Sequence, residues 1–565
     1  MSTTTAQGLT IRKPRFLKMV DCLLLLAVVL VSALPYMSGT GFHSDDWSYQ
    51  AELSQSSGES LGKIFLQMWA EDSNIRPVMV AYLVLTFRAF GHHQMAYQVF
   101  NTFSLGLAVV ILYLVLRELR TERFLALSIA LVFGLLPHYS TDRFWWASHQ
   151  AVFCMTFAFL GILALSRSFR QEESHPKMWL AVAVLSLLAS VLSYEVALGL
   201  IVASVAMIGW REFGRNRDWR RHGSAKLIGL AIPILVLLSV GIFKALTQNR
   251  IVAHNRVPFF LTHFVELTWL TVNQAIQFCF FSYGLKMPGV LMSLYRQSAL
   301  DWAALSVSAI VTFLVAAYLW KHMDASAIPN LLESLRIFGI GVVLFCLGYA
   351  LFFRDPGTEF SSVGINSRVT IASAFGAAFV SIAMVSLVCS CFRSGVVRVR
   401  FFSLAIGLIC GANCMAVNGI AYFWRDAALK QEVILNSVAT NVHALPHGSV
   451  LLLDGFCRFS GPGVVFETDW DTTGAVQFTL NDYSLSSDVV SPNTHFLDPD
   501  VETTIYGTPE HKYPYSDHLY VYNVGNRLLA KLPSKAAAYS YLSAFNPGGD
   551  SGCPPGREGD GTRVF

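Results

Sequence analysis

Apolar runs, many close to the length needed to cross a bilayer, alternate along this chain with short polar links. They fall near 19–37, 77–90, 95–116, 124–138, 150–166, 177–192, 196–210, 226–246, 300–320, 334–353, 369–390 and 401–421. A helix rises about 1.5 Å per residue and a hydrocarbon core is about 30 Å thick, so runs near twenty residues read as spans. The twelve runs therefore predict a polytopic α-helical membrane protein with about 11–12 transmembrane helices. Residues 77–90 would make only roughly 21 Å of helix. They are read as a juxtamembrane or partly inserted helix, which leaves eleven full crossings.

The polar links set the sidedness. Arg12, Lys13, Arg15 and Lys18 precede the first run, and basic residues crowd 117–123, 166–177, 211–226 and 391–400. Basic links stay cytoplasmic, which puts the N-terminus inside and residue 38 onward outside. With 117–123 inside as well, only one of the runs 77–90 and 95–116 can cross. The outer segments are then 38–76, 139–149, the tip Ser193–Glu195, 247–299, 354–368 and everything after about 422. The stretch 261–285 is apolar enough to lie on the membrane surface. The first run is long and no small-residue cleavage pattern comes after it, so it is read as an uncleaved span rather than a signal peptide.

Beyond residue 424 the pattern changes. A helical stretch (RDAALKQEVILNSVATNVHAL) leads into GSVLLLDGF and HLYVYNVGNRLLAKL, which read as strands bounded by turn residues. The expected organisation is a multi-span domain over 1–424, a soluble extracytoplasmic α/β domain over 425–545 and a disordered Gly/Pro-rich tail over 546–565.

Composition agrees with the pattern. Of 565 residues, only 14% are charged and 54% are hydrophobic, with a mean hydropathy of +0.48; a soluble protein carries roughly a quarter charged residues. The net charge of +4 gives no sign of a nucleic-acid partner. Eight of the ten cysteines lie in or beside apolar runs and form no metal-ligand spacing. Only Cys457 and Cys553 are in the hydrophilic part. They could form one disulfide outside the cell, although the Gly/Pro-rich setting of Cys553 weighs against it.

The candidate chemistry starts at GFHSDDWSYQ, residues 41–50, just past the first span. Two adjacent carboxylates in an outer loop are commonly no more than a wet surface. Here Asp45 and Asp46 lie within about ten residues of a membrane exit, with Trp47 and Tyr49 beside them, and Arg76-Pro77 leads into the next apolar helix. A first span, then an outer loop with D-D-x-x-Y, then a basic-Pro step resembles the GT-C glycosyltransferases. Among them are the protein O-mannosyltransferases and lipid A aminoarabinose transferases. The stretch 88–119 is similar to the segment after that step in bacterial members, and Ser193-Tyr194-Glu195 resembles their loop tip, with Tyr194 in place of a basic residue. The resemblance covers residues 15–210; the rest matches only as architecture.

The resemblance implies a GT-C-like enzyme that takes a sugar from a polyprenyl-phosphate donor and passes it to an acceptor hydroxyl outside the membrane, usually with inversion. Asp45 would be the general base. Asp46 would orient the acceptor or help to hold a metal. Tyr49 and Arg76 belong to the same pattern. His43 could complete a metal site with Asp46, which leaves a divalent metal open without requiring one. The acceptor could be a glycan, a lipid or a protein, and the lipid bilayer itself is a partner. The bacterial cytoplasmic (inner) membrane is the expected home.

A lipid-phosphate leaving group needs positive charge. Outer-side cations are Arg76, Arg143, Arg250, Arg256, Lys286, Arg296, Arg354 and Arg368, and snorkelling to headgroups explains many such residues. Arg368 precedes a span at the depth of a carrier phosphate. Arg143 shares its loop with Trp145, Trp146 and His149, whose rings could stack on a sugar or form an interfacial belt. Glu195, at a tip between two short spans, is a site candidate by its depth. Three rival readings remain, one of them a non-catalytic assembly or sensor protein with the C-terminal domain as its binding module. A lipid-linked glycan polymerase or ligase would rest on cations in 247–299 and would not need Asp45. A polytopic transporter fits the span count, but not the long outer segments.

Overall fold

The computed structural model describes residues 13–545 apart from 72–74, 171–172, 216–218, 248–264, 266–268, 270–271, 274–275, 355–360, 444, 492–493 and 506–507. Among the described residues, eight helical segments are long and apolar enough to cross a membrane: Phe16–Tyr36, Gln94–Glu118, Ala147–Ser168, Pro176–Ser193, Trp302–His322, Leu331–Phe352, Ile365–Ser390 and Gly395–Asn441. Four shorter apolar helices, Pro77–Phe90, Arg123–Tyr139, Leu198–Arg211 and Leu230–Lys244, complete a set that coincides with the twelve runs.

In chain order the helices are α1 (Lys13–Ala33), α2 (Asp45–Gln55), α3 (Leu61–Glu71), α4 (Pro77–Phe90), α5 (Gln94–Glu118), α6 (Arg123–Leu135), α7 (Thr141–Phe144), α8 (Gln150–Ser168) and α9 (Pro176–Ser193). They continue with α10 (Leu198–Arg215), α11 (Trp219–Thr247), α12 (Met287–Arg296), α13 (Trp302–His322), α14 (Leu331–Tyr349), α15 (Ile371–Ser390) and α16 (Gly395–Asn441). The spans share one apolar core. Leu112, Leu127, Val152, Leu187, Ile371 and Ile406 are all fully buried in it.

Polar pins fix the helices against each other. Asp21, on α1 and fully buried, accepts hydrogen bonds from Arg123 (2.6 and 2.7 Å), Tyr113 (2.6 Å) and Tyr318 (2.7 Å), tying α1 to α5, α6 and α13. Glu118 pairs with Arg170 at 2.7 Å and Arg167 at 3.7 Å, so two of the basic links meet at the same end of the bundle. Helices α14 and α15 pack at backbone contact. A Cβ on Gly348 would run into the backbone of Ser373, and one on Gly376 into the backbone of Phe345. Only glycine allows that approach.

Helix α4 explains the parity of the topology. At its start, Arg76 bonds Glu195 at the tip between α9 and α10. Just past its other end, His92 bonds Gln50 of α2 at 2.8 Å. Both ends of α4 therefore meet elements at one end of the bundle. A helix of 14 residues with both ends on one side is laid against the bundle rather than driven through it.

Two expected elements merge. The span 401–421 and the helical stretch after 425 are one helix, α16, of 47 residues. It runs out of the bundle into the C-terminal part. There the strands are β1 (Val450–Asp454), β2 (Phe459–Ser460), β3 (Gly463–Val464), β4 (Ser486–Val489), β5 (Thr494–Phe496), β6 (Asp500–Ile505), β7 (Thr508–Pro514), β8 (Leu519–Asn523) and β9 (Leu528–Lys531), with helices α17 (Asp469–Leu480) and α18 (Lys535–Phe545). The main sheet has the order β4-β1-β8-β9. β1 pairs in parallel with both β4 and β8, and β9 closes antiparallel on β8. The unbroken Leu451-Leu452-Leu453, fully buried, suits a central parallel strand covered on both faces. A second sheet of β5, β6 and β7 is antiparallel. Cys457 is disulfide-bonded; Cys553, the other cysteine of the hydrophilic part, lies outside the described residues, as does the tail 546–565.

Candidate functional site

A cavity of about 190 Å³ opens where several segments at the ends of the helices converge, lined among others by Asp45, Tyr49, Arg76, Trp145, Ser148, Gln150, Tyr194 and Arg368. Those residues come from α2, the start of α4, the loop into α8, the α9–α10 tip and the entry to α15. Four of the residues singled out in the sequence, Asp45, Tyr49, Arg76 and Arg368, thus meet across more than 300 positions of chain. The volume is below the roughly 300–1,000 Å³ that engulfs a drug-sized molecule. It suits a compact polar head.

Asp45 opens helix α2, and Asp45 and Asp46 both sit in the first turn, where the helix dipole favours negative charge. The turn before them is strained. Ser44 has φ 48° and ψ −127°, a region where an L residue costs about 1–3 kcal/mol unless its surroundings hold it. Asp46 helps to hold it. Fully buried, its carboxylate accepts from the backbone N–H of His43 (3.1 Å), Trp146 (3.3 Å) and Ala147 (2.8 Å). Burial raises its pKa to about 8, against the pull of those three donors.

Asp46 does not line the cavity, so the expectation that it faces the acceptor or a metal is corrected. Its oxygens are taken up by backbone amides. His43 is corrected in the same way: one ring nitrogen faces Val464 O at 2.9 Å and the other Thr40 O, leaving none for a metal. Burial lowers its pKa to about 4, although both carbonyls favour the charged form. Among the described residues, no group of three or more His, Cys, Asp or Glu could hold a metal ion.

The cations divide. Arg76 donates to Glu195 at 3.1 Å and lies 4.5 Å over the Tyr194 ring; Lys244 of α11 also pairs with Glu195. Burial alone would raise the Glu195 carboxyl, but Arg76 and Lys244 bring it below its ordinary value. Glu195 therefore reaches the cavity through Arg76. Arg368 stacks 5.3 Å from the Trp145 ring.

Arg143 and His149 are corrected. Arg143 is buried, donates to the carbonyls of Gly134 (2.7 Å) and Leu136 (3.2 Å), and lies over Tyr139. His149 is fully buried, with Nδ1 on Asp142 O at 2.7 Å and Nε2 against Ser104 Oγ at 2.5 Å. Both tie the 137–149 segment to the spans. Of the other cations, Lys286 and Arg296 are exposed, while Arg250, Arg256 and the Arg354 side chain lie outside the described part.

Sequence reasoning passes over Ser148, Gln150 and Asp142, although all three sit in the same TDRFWWASHQ loop as Arg143 and His149. Ser148 donates to the buried Asp142 at 2.5 Å. Burial holds the Asp142 carboxyl well above the usual range, against Ser148, Arg368 and Arg143. Three polar atoms of cavity-lining residues, Arg76 Nε, Trp145 Nε1 and Gln150 Oε1, are buried and find no hydrogen-bond partner among the described residues. Buried polar atoms are nearly always paired, so such a group beside a cavity points to an occupant that pairs with them.

No family model and no curated protein matches the chain. Among solved structures it is similar to ArnT from Cupriavidus metallidurans in the apo state, with 12% identity over 83% of this chain and 86% of that one, at a TM-score of 0.35. It is also similar to ArnT from the same organism bound to undecaprenyl phosphate, with 14% identity over 84% and 86% and a TM-score of 0.35. At that identity and TM-score, neither likeness carries an argument about chemistry.

Proposed function

We propose that this protein is a membrane glycosyltransferase that moves a sugar from a polyprenyl-phosphate donor to an acceptor hydroxyl at the cavity. The observation that carries the reading is the convergence of one carboxylate, Asp45, with two guanidinium groups, Arg76 and Arg368, in a small cavity beside the ends of apolar helices. That combination meets both needs of such a transfer.

The acceptor oxygen forms a bond to the anomeric carbon as the bond from that carbon to the phosphate oxygen breaks. The acceptor proton passes to Asp45, and the polyprenyl phosphate leaves as an anion. A free carboxylate titrates near 3.9, roughly eleven units below an alcohol, so full prior deprotonation would cost about 15 kcal/mol. Asp45 therefore takes the proton in concert with bond breaking, from within hydrogen-bond reach. Arg76 and Arg368 offset the charge that develops on the leaving phosphate, which a cation does without proton transfer. Glu195 and Lys244 keep Arg76 in place, and the Trp145 face beneath Arg368 does the same there. Tyr49 lies one helical turn from Asp45 and orients the acceptor. A single attack opposite the leaving group inverts the anomeric centre. The acceptor class is a glycan, lipid or protein hydroxyl.

The test is an assay of membranes for sugar transfer from labelled polyprenyl-phosphate sugars. Asp45→Asn is expected to lower turnover by about 10²–10⁴-fold, the usual worth of a general base. Wild-type turnover in that variant would overturn the base assignment. Absence of transfer from every such donor by the wild type would favour the transporter or polymerase readings. Arg368→Ala is expected to raise the donor KM while the protein folds normally; an unchanged donor KM would remove Arg368 from the phosphate site.

A further inference from the structure

The C-terminal part packs on α2, the helix that carries Asp45. Helix α17 packs on α2 so closely that a Cβ on Gly474 would lie 2.5 Å from the carbonyl carbon and oxygen of Trp47 and 2.6 Å from the amide nitrogen of Ser48. Real Cβ atoms do not come so near, and backbone cannot give way as a side-chain tip can. Ser48 Oγ donates to the carbonyl of Trp470 at the start of α17. His43 reaches Val464 O at 2.9 Å. Gln431 of α16 donates to the next carbonyl, Val465 O, at 2.6 Å. Trp47 lies 6.3 Å from the Phe478 ring. Trp47, Met68, Leu83, Leu451, Phe466 and Val476 belong to one buried apolar cluster, so α2, α3, α4 and the main sheet have a common core.

Asp45 is thereby flanked on both sides in sequence, at 43 and at 47–48, by residues held from the C-terminal part. Asp46 is held from the opposite direction by the amides of Trp146 and Ala147. Ser44, between His43 and Asp45, is strained, a conformation that relaxes unless both sides keep it.

We propose that α17, through Gly474 against Trp47 and Ser48, is a clamp that fixes the angle of the first turn of α2 and so aims the Asp45 carboxylate into the cavity. Gly474 and Ser48 are positioning residues; they touch neither donor nor acceptor. The proposal rests on the reading of Asp45 as general base for its kinetic consequence, but its structural consequence stands apart.

Two measurements separate these. The first is hydrogen exchange of the amides of 44–50 in the full-length protein in nanodiscs. Gly474→Ala is expected to speed exchange there, while Gly525→Ala, whose Cβ would meet its nearest atom at an ordinary 3.4 Å, leaves it unchanged. The second is sugar-transfer kinetics. Gly474→Ala is expected to lower kcat by up to about 10²-fold with the donor KM little changed, because a misplacement near 1 Å acts on chemistry rather than on donor binding. Ser48→Ala adds no bulk and is expected to lower kcat by about fivefold, the worth of one net hydrogen bond; it carries the test if Gly474→Ala fails to fold. Faster exchange with normal turnover in both Gly474→Ala and Asp45→Asn would keep the clamp and overturn the base reading. Wild-type exchange and wild-type kcat in Gly474→Ala would overturn the clamp.

Discussion

Successive residues on a helix point about 100° apart, and at the start of α2 this separates two identical side chains. Asp45 lines the cavity, whereas Asp46 turns into the interior and takes three backbone amides. Their substitutions should differ in kind. Asp46→Ala leaves three buried N–H groups without an acceptor, at about 1–3 kcal/mol each, so a large drop in the thermal unfolding midpoint in detergent is expected. Asp45→Asn should leave that midpoint nearly unchanged and remove turnover. Equal midpoints for the two variants would contradict the assignment.

Glu195 has a pH signature of its own. Its folded pKa lies below the ordinary value of 4.5 because Arg76 and Lys244 outweigh the cost of burial. A depressed carboxyl contributes stability that is fully present above the unfolded pKa and lost as pH falls through the folded one. Glu195→Gln should therefore unfold at a lower temperature than wild type at pH 7, and the gap should close as pH falls below the ordinary value of 4.5. A gap that is constant across that range would mean that the charge of Glu195 does not act on stability.

At the scale of elements, the helices are joined by a few polar pins inside an apolar contact surface. The buried Asp21 pairs with the half-buried Arg123 and with two tyrosine hydroxyls. Removing one partner of a buried pair leaves the other charge uncompensated, at about 3–5 kcal/mol, whereas apolar replacement of both is often tolerated. Asp21→Leu should lower the unfolding midpoint strongly, and Arg123→Met added to it should recover most of the loss. No recovery in the double variant would give the pin a role other than charge balance. The hairpin of α14 and α15 relies instead on Gly348 and Gly376 at its closest approach. Its runs are plain in the sequence as spans. That they touch at backbone distance is not, because a glycine in an apolar run looks the same whether it faces lipid or another helix.

Across the whole molecule, the cavity, both ends of α4 and the C-terminal part lie at one end of the bundle, and the Glu118–Arg170 pair lies at the other end of α5 and α8. His93→Cys and Asn526→Cys, both at exposed positions, should be labelled by a membrane-impermeant maleimide from the same side. Arg120→Cys, also exposed, should be labelled from the other. Ser57→Cys, exposed ahead of α4, should be labelled from the same side as His93→Cys; labelling of these two from opposite sides would make α4 a true crossing.

The sequence by itself determined the twelve apolar segments, the strands around Leu452 and Val521, and the short α4, because hydrophobic periodicity and length are local properties. It also determined that charge at 45, 76, 195 and 368 sits at segment ends, where a membrane protein places few charges without a partner. Only the tertiary structure decided which of those charges share a cavity. Asp45 and Arg368 meet because α15 returns to the end of the bundle that α1 leaves, and no local pattern records that return. The same holds for Asp46, Arg143 and His149. Each has the residue type and position of a site group, and each is consumed by partners from a neighbouring or distant segment. The close approach of Gly474 to Trp47, across more than 400 positions, is the plainest case: a glycine in a helix says nothing about what it touches until the chain has folded.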